Sequence, residues 1–220
     1  MIPTVPSISR QQLLCFTLLA LSACASSPPV DDTDRYERFN RAMFKVNTTI
    51  DKAALKPIAK AYNHAVPTKV QKHIGDFFSN INMIPTIIND AMQADVQQAL
   101  TDIARLSINS TLGILGFFDV ARDFGLPKHN QDLGLTLAKY GAEKSPFIML
   151  PLLGPKTFRD AATVPFSSNS LSPISQVTPT WAAYSAQGLK LINLRSSFLP
   201  SDKYVDEAFD PYIFVRDAYL

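Results

Sequence analysis

Residues 109–141 constrain the fold most, because this segment is apolar, repeatedly broken by glycine and divided by a polar turn. It holds Gly113, Gly116, Gly125, Gly134 and Gly141, five of the eight glycines in the chain. Its first limb, residues 112–118, is apolar over about seven residues, far fewer than the ~20 that a helix needs to cross a bilayer. Residues 128–132 form a polar tip, and residues 133–140 return as a second apolar limb. The pattern predicts a short apolar hairpin, too apolar for an ordinary surface loop and too interrupted for a core helix.

The N-terminus has the features of a bacterial lipoprotein signal. Arg10 is the only charged residue in the first thirty, and residues 13–22 are an apolar stretch. Leu21-Ser22-Ala23-Cys24 then fits the lipobox, in which small residues precede a cysteine that becomes lipidated. The alternatives are a secretory signal with an incidental cysteine, or a membrane anchor, for which the stretch is too short. We therefore predict a signal peptide over residues 1–23, lipidation of Cys24 and a tether over residues 24–34.

The cysteine content and the sorting residue indicate the cellular compartment, and the net charge restricts the class of binding partner. Cys24 is the only cysteine left once Cys15 is removed with the signal, so no disulfide is expected. Ala25 stands where aspartate would favour retention in the inner membrane. This predicts the outer membrane of a Gram-negative bacterium, with the lipid anchor on the periplasmic side. A net charge of +2 indicates no nucleic-acid partner. A 46% hydrophobic fraction without a long apolar span is typical of a chain that lies in a membrane or holds lipid.

The first half of the mature chain predicts short helices joined at prolines. Residues 36–53 carry apolar side chains at alternating spacings of three and four, which indicates an amphipathic helix with a cationic opposite face. Two interpretations of its apolar stripe remain open: burial in the core, or contact with the membrane interface. Pro57 marks either a kink or a new helix, and Pro85 is predicted to interrupt a later one. Asp95 followed by Gln98 predicts the start of a helix, and the apolar residues Val96, Leu100, Ile103 and Leu106 predict that it continues to near Gly113.

A second apolar segment follows the hairpin, at residues 146–155. It cannot form a regular helix because Pro151 divides it. Its unpaired backbone groups need partners, so at membrane depth it must be covered by protein or line a wet cavity. Pro155 is then predicted to start a helix through Val164. A serine-rich loop over residues 166–179 and a helix over residues 181–194 follow.

Catalytic signatures are absent from the sequence, so no enzyme activity, metal or cofactor is expected. There is no Gly-x-Ser-x-Gly elbow, no glycine-rich phosphate loop and no His-Glu-x-x-His motif. His64, His73 and His129 lie far apart and are interpreted as surface residues. Asp119 and Asp123 would share a helical face, as acid-base or calcium chemistry requires. Asp119 lies where a helix is predicted to begin, however, so we interpret it as a helix cap.

Several segments of the mature chain form a recognisable pattern. In chain order they are Glu37-Arg38-Phe39-Asn40-Arg41-Ala42-Met43-Phe44, Leu55-Lys56-Pro57, Asn109-Ser110-Thr111-Leu112-Gly113, Gly116-Phe117-Phe118-Asp119-Val120-Ala121, Asp132-Leu133-Gly134-Leu135-Thr136-Leu137, Leu150-Pro151-Leu152-Leu153-Gly154-Pro155, Arg159-Asp160 and Asp210-Pro211-Tyr212-Ile213. In this order the segments resemble the MlaA (VacJ) family of outer-membrane lipoproteins. With the lipobox, these segments cover almost all of the mature chain. They indicate a single domain over residues 35–220.

The resemblance implies both a fold and a function. The fold is an all-α body of short amphipathic helices broken at prolines, ring-like and membrane-embedded, with a central channel and a Gly-rich hairpin. The implied function is to channel mislocalised phospholipids from the outer leaflet of the outer membrane to a periplasmic lipid-carrier protein. That carrier is linked to an inner-membrane ABC transporter, and the family also associates with a trimeric porin.

The same resemblance gives candidate functional residues in three groups. The hairpin group, whose position is expected to control channel opening, is Leu112, Gly113, Gly116, Phe117, Phe118, Asp119, Gly125, Gly134 and Leu137. The motif of the N-terminal helix is Phe39, Asn40 and Phe44. The second apolar segment contributes Phe147, Leu150, Pro151 and Gly154. The hairpin glycines are either hinges for this movement or plain turns in a rigid loop.

Two other functional classes compete with a lipid channel. An adaptor lipoprotein would dock porins or envelope proteins through its apolar segments without conducting lipid. A lipid hydrolase is disfavoured, because the sequence has no nucleophile and base motif.

Overall fold

The computed structural model describes residues 34–142, 145–169 and 173–220. Its helices are α1 (Glu37–Ile50), α2 (Lys56–Ala65), α3 (Thr68–Met92), α4 (Val96–Thr111), α5 (Val120–Asp123), α6 (Leu133–Lys139), α7 (Phe158–Asn169), α8 (Thr180–Phe198), α9 (Asp202–Asp206) and α10 (Pro211–Tyr219). A π-helical turn, Asp51–Leu55, joins α1 to α2, and 3-10 turns occupy Pro173–Gln176 and Leu199–Ser201. The strands are β1 (Phe147–Leu150) and β2 (Gly154–Thr157). The predicted signal peptide, Cys24 and nearly all of the tether lie outside the described residues and stay predictions.

The mostly helical fold is confirmed, and carboxylates mark several helix starts. The Asp95 carboxylate accepts a hydrogen bond from the backbone N–H of Gln98 at 3.1 Å, as predicted, and α4 ends two residues before Gly113. Asp132 caps α6 in the same way, and Asp210 caps α10, where Pro211 follows. Each carboxylate satisfies a backbone donor that has no partner inside the helix.

Prolines break fewer helices than predicted. α3 continues through Pro85 for 25 residues, so the predicted interruption is wrong. The helix is held on both sides of this proline: Asn80 contacts Ser110 of α4, and Asn89 contacts Thr136 of α6. These two hydrogen bonds, at about 1 kcal/mol each, offset part of the roughly 3 kcal/mol that a proline costs inside a helix. At Pro57 the π-helical turn lies directly before α2, so α1 and α2 remain connected by helical backbone.

A small antiparallel hairpin departs from the all-α prediction. β1 pairs with β2 so that Phe147 lies opposite Thr157 and Met149 opposite Pro155. Pro155 therefore lies in a strand rather than at a helix start, and α7 begins only at Phe158. Pro151 lies in the turn between the strands, which fits the prediction that it prevents a helix.

Two asparagines of α1 take the place of a third strand beside β1. Asn40 donates from Nδ2 to the Phe147 carbonyl at 3.3 Å and accepts at Oδ1 from the Met149 N–H at 2.8 Å. Asn47, two helical turns later, donates to the Leu150 carbonyl at 2.8 Å and accepts from the Leu152 N–H at 2.7 Å. A two-stranded hairpin is marginal alone, so these amide contacts complete its hydrogen bonding.

The apolar core lies where this hairpin meets α1 and α10. Phe147, Met149 and Tyr212 are buried together, and Met43 and Phe44 of α1 pack against them. The Tyr212 hydroxyl donates to the buried Asp34 carboxylate, which also accepts from Asn40 Nδ2 at 2.8 Å. This apolar cluster is small, and buried polar side chains surround it. Hydrogen bonds therefore contribute much of the contact between these elements.

We predict that Asn40→Ala lowers the free energy of unfolding by about 3 kcal/mol, because it leaves the Met149 N–H and the Phe147 carbonyl buried without partners. Denaturant unfolding in detergent, followed by circular dichroism, measures the change. Asn63→Ala is the matched control, since Asn63 is exposed on α2, and it should change stability little. Equal effects of the two substitutions would contradict the role given to Asn40.

Candidate functional site

A helix on the surface of a water-soluble protein buries its apolar face and exposes its polar face. The helix α4 has the reverse arrangement. Its apolar residues Val96 and Leu100 are 65% and 61% exposed. Its buried face instead carries Asp102 and Arg105, which are 0% and 2% exposed. The sequence pattern located the stripe correctly, but the stripe points outward.

α3 and α6 repeat this arrangement around the same interior. On α3, Ile84, Ile88 and Met92 form an exposed apolar stripe at spacings of four. The buried side of α3 includes Asn89 and Asp90. On α6, Leu135 and Leu137 are exposed while Gly134 and Thr136 are buried. α8 likewise directs polar groups inward: Lys190 donates to Asn82 at 3.1 Å, and Asn193 accepts from the Tyr62 hydroxyl at 2.8 Å.

Within residues 34–142, 145–169 and 173–220, therefore, the buried faces of α3, α4 and α6 carry mostly polar side chains, and their exposed faces carry apolar stripes. Phe78 and Met83 of α3 are the larger apolar side chains buried among them. Exposed apolar area on this scale is rare in a monomeric soluble protein and marks a surface for lipid or protein. In these ranges no helix is both long and apolar enough to cross a membrane.

The predicted apolar hairpin begins with an exposed turn after α4. Leu112, Ile114 and Leu115 are each more than 60% exposed. Ile114 and Leu115 have φ values of 51° and 57°, in the left-handed region that a β-branched residue such as Ile rarely adopts. Backbone bonds from Leu115 N to the Ser110 carbonyl and from Gly116 N to the Asn109 carbonyl, at 3.0 and 2.8 Å, fix this conformation. The turn thus holds apolar side chains outward at some cost in backbone strain.

The two phenylalanines that follow hold the turn against α3. The Phe117 ring stacks on Phe77 with centroids 4.9 Å apart, and the Phe118 ring lies 4.6 Å from the His73 ring. An open cleft of about 550 Å³ lies beside Phe118. Its lining combines apolar and charged side chains: Lys72, His73, Leu112, Ile114, Phe118, Asp119, Val120, Arg122 and Asp123. Such a cleft suits a molecule with a charged head and apolar tails.

Three of the hairpin glycines allow close packing. A Cβ atom on Gly116 would lie 2.3 Å from the Asn80 Cβ, and one on Gly113 would lie 2.2 Å from the Phe118 carbonyl oxygen. A Cβ on Gly134 would lie 2.2 Å from Asp160 Oδ1. Gly125, by contrast, has open space around it and a φ of 77° that closes α5. Packing thus accounts for the first three glycines, and hinge movement stays a prediction.

A buried ion pair anchors the middle of the hairpin to α4. Arg105 donates from Nη2 to Asp119 Oδ1 at 2.8 Å and from Nη1 to the Leu126 carbonyl. Asn109 donates to the same Asp119 oxygen at 2.9 Å and accepts from the Ala121 N–H at 2.8 Å. Asp119 does occupy the position before α5, but its carboxylate makes no capping bond there. The prediction of a helix cap is therefore wrong, because the buried guanidinium binds this carboxylate instead.

The return limb is attached to α3 through hydroxyl and amide groups. Thr136 donates to Asn89 Oδ1 at 2.8 Å and accepts from Gln93 Nε2 at 3.0 Å. Lys139 donates to the Gln93 carbonyl at 2.8 Å. Both limbs of the hairpin are thus tied to the polar interior while Leu112 and Leu137 face outward.

The motif of the N-terminal helix and the second apolar segment come together where α1 meets the β hairpin. Phe44 packs edge-on against Tyr212, with ring centroids 5.8 Å apart, and Asn40 binds β1 beside Phe147. Their contacts are structural, because they join α1, the β hairpin and α10. Along the N-terminal stripe, Phe39, Val46 and Ile50 are exposed, whereas Met43 packs against the core. Of Phe39, Met43, Val46 and Ile50, therefore, only Met43 agrees with the interpretation that the stripe is buried in the core. In the second apolar segment, Pro151 is exposed in the turn between β1 and β2. Gly154, the first residue of β2, has a φ of 76°.

Sequence reasoning missed the buried polar residues between α3 and α4. Asp102, Arg105 and Asn109 recur at spacings of three and four, opposite the apolar stripe, and this periodicity was the available signal. His129 was predicted to be a surface residue. Its Nδ1 instead lies 2.8 Å from the buried Asp102 carboxylate, because the tip of the hairpin folds back onto α4.

Comparisons with known proteins agree with one another. The model of the MlaA lipoprotein family matches residues 32–220. The Shigella flexneri protein named "Intermembrane phospholipid transport system lipoprotein MlaA" is 30% identical over 218 residues, covering 96% of this chain and 86% of the relative. An uncharacterised protein of Rickettsia conorii is 34% identical over 190 residues, covering 86% of this chain and 76% of the relative.

One solved structure is also similar. It is described by the words "Structural basis for maintenance of bacterial outer membrane lipid asymmetry". It superposes with a TM-score of 0.71 at 30% identity, covering 88% of this chain and 96% of the other.

We predict that Asp119→Ala releases the hairpin from α4. The substitution leaves the Arg105 guanidinium buried without its carboxylate, which typically costs about 3–5 kcal/mol. Denaturant unfolding measures the loss of stability, and trypsin digestion at Arg122 and Lys128 measures exposure of the hairpin. Asp123→Ala is the control, because Asp123 ends α5, the short helix that Asp119 precedes, and is exposed. Identical unfolding and digestion of the two variants would refute the anchoring role of Asp119.

Proposed function

This chain belongs to the MlaA lipoprotein family, and from that premise we propose that it moves phospholipid within the bacterial outer membrane. In this proposal it takes mislocalised phospholipid from the outer leaflet and delivers it toward the periplasm, which maintains the lipid asymmetry of the membrane. The name of the Shigella flexneri relative supports phospholipid transport, and the description of the similar structure supports a role in lipid asymmetry. The direction of movement is part of the proposal.

The observation that carries the proposal is the reversed amphipathicity of α3, α4 and α6. Leu100 on α4 and Ile88 on α3 face outward, where lipid tails would cover them, while Asp102 and Arg105 face inward. A phospholipid crossing a membrane must move a polar headgroup past hydrocarbon, which is costly without polar partners. The apolar outer faces allow the body to lie in hydrocarbon. Charged groups at the cleft beside Phe118 would supply those partners, which lowers the cost without covalent chemistry.

We propose that the hairpin borders the lipid path. The cleft beside Phe118 is lined by the cationic Lys72 and Arg122, the acidic Asp119 and Asp123, and the apolar Leu112 and Ile114. Lys72 is paired with Asp76 at 2.6 Å. A phosphate group would meet Arg122 and compete with Asp76 for Lys72, and the acyl chains would lie along the apolar side. The ring-like body, the central channel and movement of the hairpin belong to this proposal and are supported by family membership.

The remaining parts of the proposal concern anchoring, partners and direction. Cys24 would carry the lipid anchor on the periplasmic side of the outer membrane. A trimeric porin would hold the protein, and a periplasmic carrier linked to an inner-membrane ABC transporter would accept the lipid. A passive path has no preferred direction, so net movement comes from these downstream partners. The protein itself is proposed to have no enzymatic activity.

We predict that lipids quench the fluorescence of Trp181. This is the only tryptophan in the chain, it is 70% exposed at the start of α8, and the exposed Tyr184 lies one turn further on. Tryptophan and tyrosine favour the membrane interface, so phospholipids brominated near the headgroup should quench more than those brominated at the chain ends. Quenching by aqueous acrylamide but not by either lipid would place this surface outside the membrane and count against the proposal.

We also predict that fixing the hairpin stops lipid transfer. Asn89→Cys together with Thr136→Cys places two thiols on facing positions of α3 and α6, where Thr136 Oγ1 and Asn89 Oδ1 hydrogen-bond at 2.8 Å. Titration of free thiols after oxidation shows whether the disulfide forms. The measurement is transfer of a fluorescent phospholipid from liposomes containing the protein to a soluble carrier. Oxidation should lower transfer by at least about tenfold if the hairpin must move, and reduction should restore it.

The controls for this experiment are the two single-cysteine variants, which should respond to neither treatment. Unchanged transfer by the oxidised double variant would rule out movement of the hairpin. Absence of transfer by the unaltered protein would favour the adaptor alternative. A photo-crosslinker at Leu100 separates the two functions further, since an adaptor would yield protein adducts and no lipid adducts there.

A further inference from the structure

Three ionisable side chains from separate parts of the chain meet beneath the tip of the hairpin. They are Asp90 on α3, Asp102 on α4 and His129 in the loop before α6. His129 Nδ1 lies 2.8 Å from Asp102 Oδ2 and 3.7 Å from Asp90 Oδ1. One ligand atom from each residue lies within 4.8 Å of the others. The proposed lipid path does not use Asp90 or His129, and Asp102 enters that proposal only as one of the polar groups buried between helices.

The two carboxylates are buried without enough partners. Asp90 and Asp102 are 1% and 0% exposed. Asp90 Oδ2 and Asp102 Oδ1 have no hydrogen-bond partner. Buried carboxylates normally find donors or cations, because an unpaired buried charge costs several kcal/mol.

The nearby cation Arg105 does not supply the missing partners of these two carboxylates. Arg105 lies one turn from Asp102 on α4, but its guanidinium binds Asp119 and the Leu126 carbonyl. Asp90 and Asp102 thus face one imidazole, that of His129, an arrangement that an added cation would stabilise.

We propose that Asp90, Asp102 and His129 bind one divalent transition-metal ion, with zinc as the favoured ion. One imidazole nitrogen and two carboxylate oxygens form a set of three ligands that suits zinc, and water would complete a tetrahedral site. The distances of 2.8 and 3.7 Å between ligand atoms are close to the edges of such a tetrahedron. Calcium is disfavoured, because it takes six to eight oxygen ligands and avoids nitrogen.

The proposed ion would fasten the hairpin tip to the helix pair. Of its three ligands, Asp90 and Asp102 come from α3 and α4, which pack together, and His129 comes from the loop that leads into α6. Binding would therefore stabilise the folded position of this loop in proportion to metal concentration. The inference concerns the ion alone and does not depend on lipid transport.

The test measures zinc affinity of the full-length purified protein in detergent, after treatment with a chelator and removal of the chelator. Competition with a chromophoric zinc indicator should give about one equivalent bound to the unaltered protein. His129→Ala and Asp102→Asn should each weaken this binding by at least about tenfold. His64→Ala is the matched control, because it removes an exposed imidazole from α2 and should leave the affinity unchanged.

Cobalt provides an independent readout of the ligands. Co²⁺ added in place of zinc should give visible absorption bands typical of a four-coordinate site, and His129→Ala should abolish them. Circular dichroism shows whether each variant is folded, and His129 is the preferred position because its side chain is partly exposed. The proposal is overturned if the unaltered protein binds zinc no more tightly than His129→Ala, or if His64→Ala weakens binding equally.

Discussion

The structure depends on the burial of polar side chains between helices whose apolar faces point outward. In a water-soluble domain, apolar burial stabilises the fold and unpaired polar groups are kept at the surface. Here Asp102, Arg105 and Asn109 are buried instead, so specific partners must satisfy them. That requirement explains why so many contacts between elements are hydrogen bonds: Arg105 to Asp119, Thr136 to Asn89, and Asn40 to β1.

The hairpin is the element most affected by this requirement. It has little apolar interior of its own, and its exposed turn adopts left-handed conformations at Ile114 and Leu115. Besides the ring contacts of Phe117 and Phe118 with α3, a row of polar attachments along its inner side holds it, from Asp119 through His129 to Thr136. Such attachments are directional and few, so they break one by one more readily than an apolar interface does. Movement of the hairpin remains part of the proposed function.

Sequence periodicity located the helices well but left their orientation undecided. The stripe of Val96, Leu100 and Ile103 predicts α4 correctly, and the Asp95 cap is confirmed. Periodicity cannot say whether a stripe faces protein or lipid, because both environments are apolar. The β hairpin was missed because four-residue strands with Pro155 in one of them carry no clear alternation. Asp119 and His129 were misinterpreted for a related reason, since their partners lie 14 and 27 residues away in the chain.

The sequence by itself determined the family and the largely helical content. These follow from local order along the chain: motif sequence, periodicity, and the placement of glycine and proline. Only the tertiary structure decided which face of each helix is buried and that Asn40 completes a strand. It also decided that Asp90, Asp102 and His129 meet. These outcomes depend on which distant segments pack together, and polar groups acquire their partners, charges and cost of burial only once that packing exists.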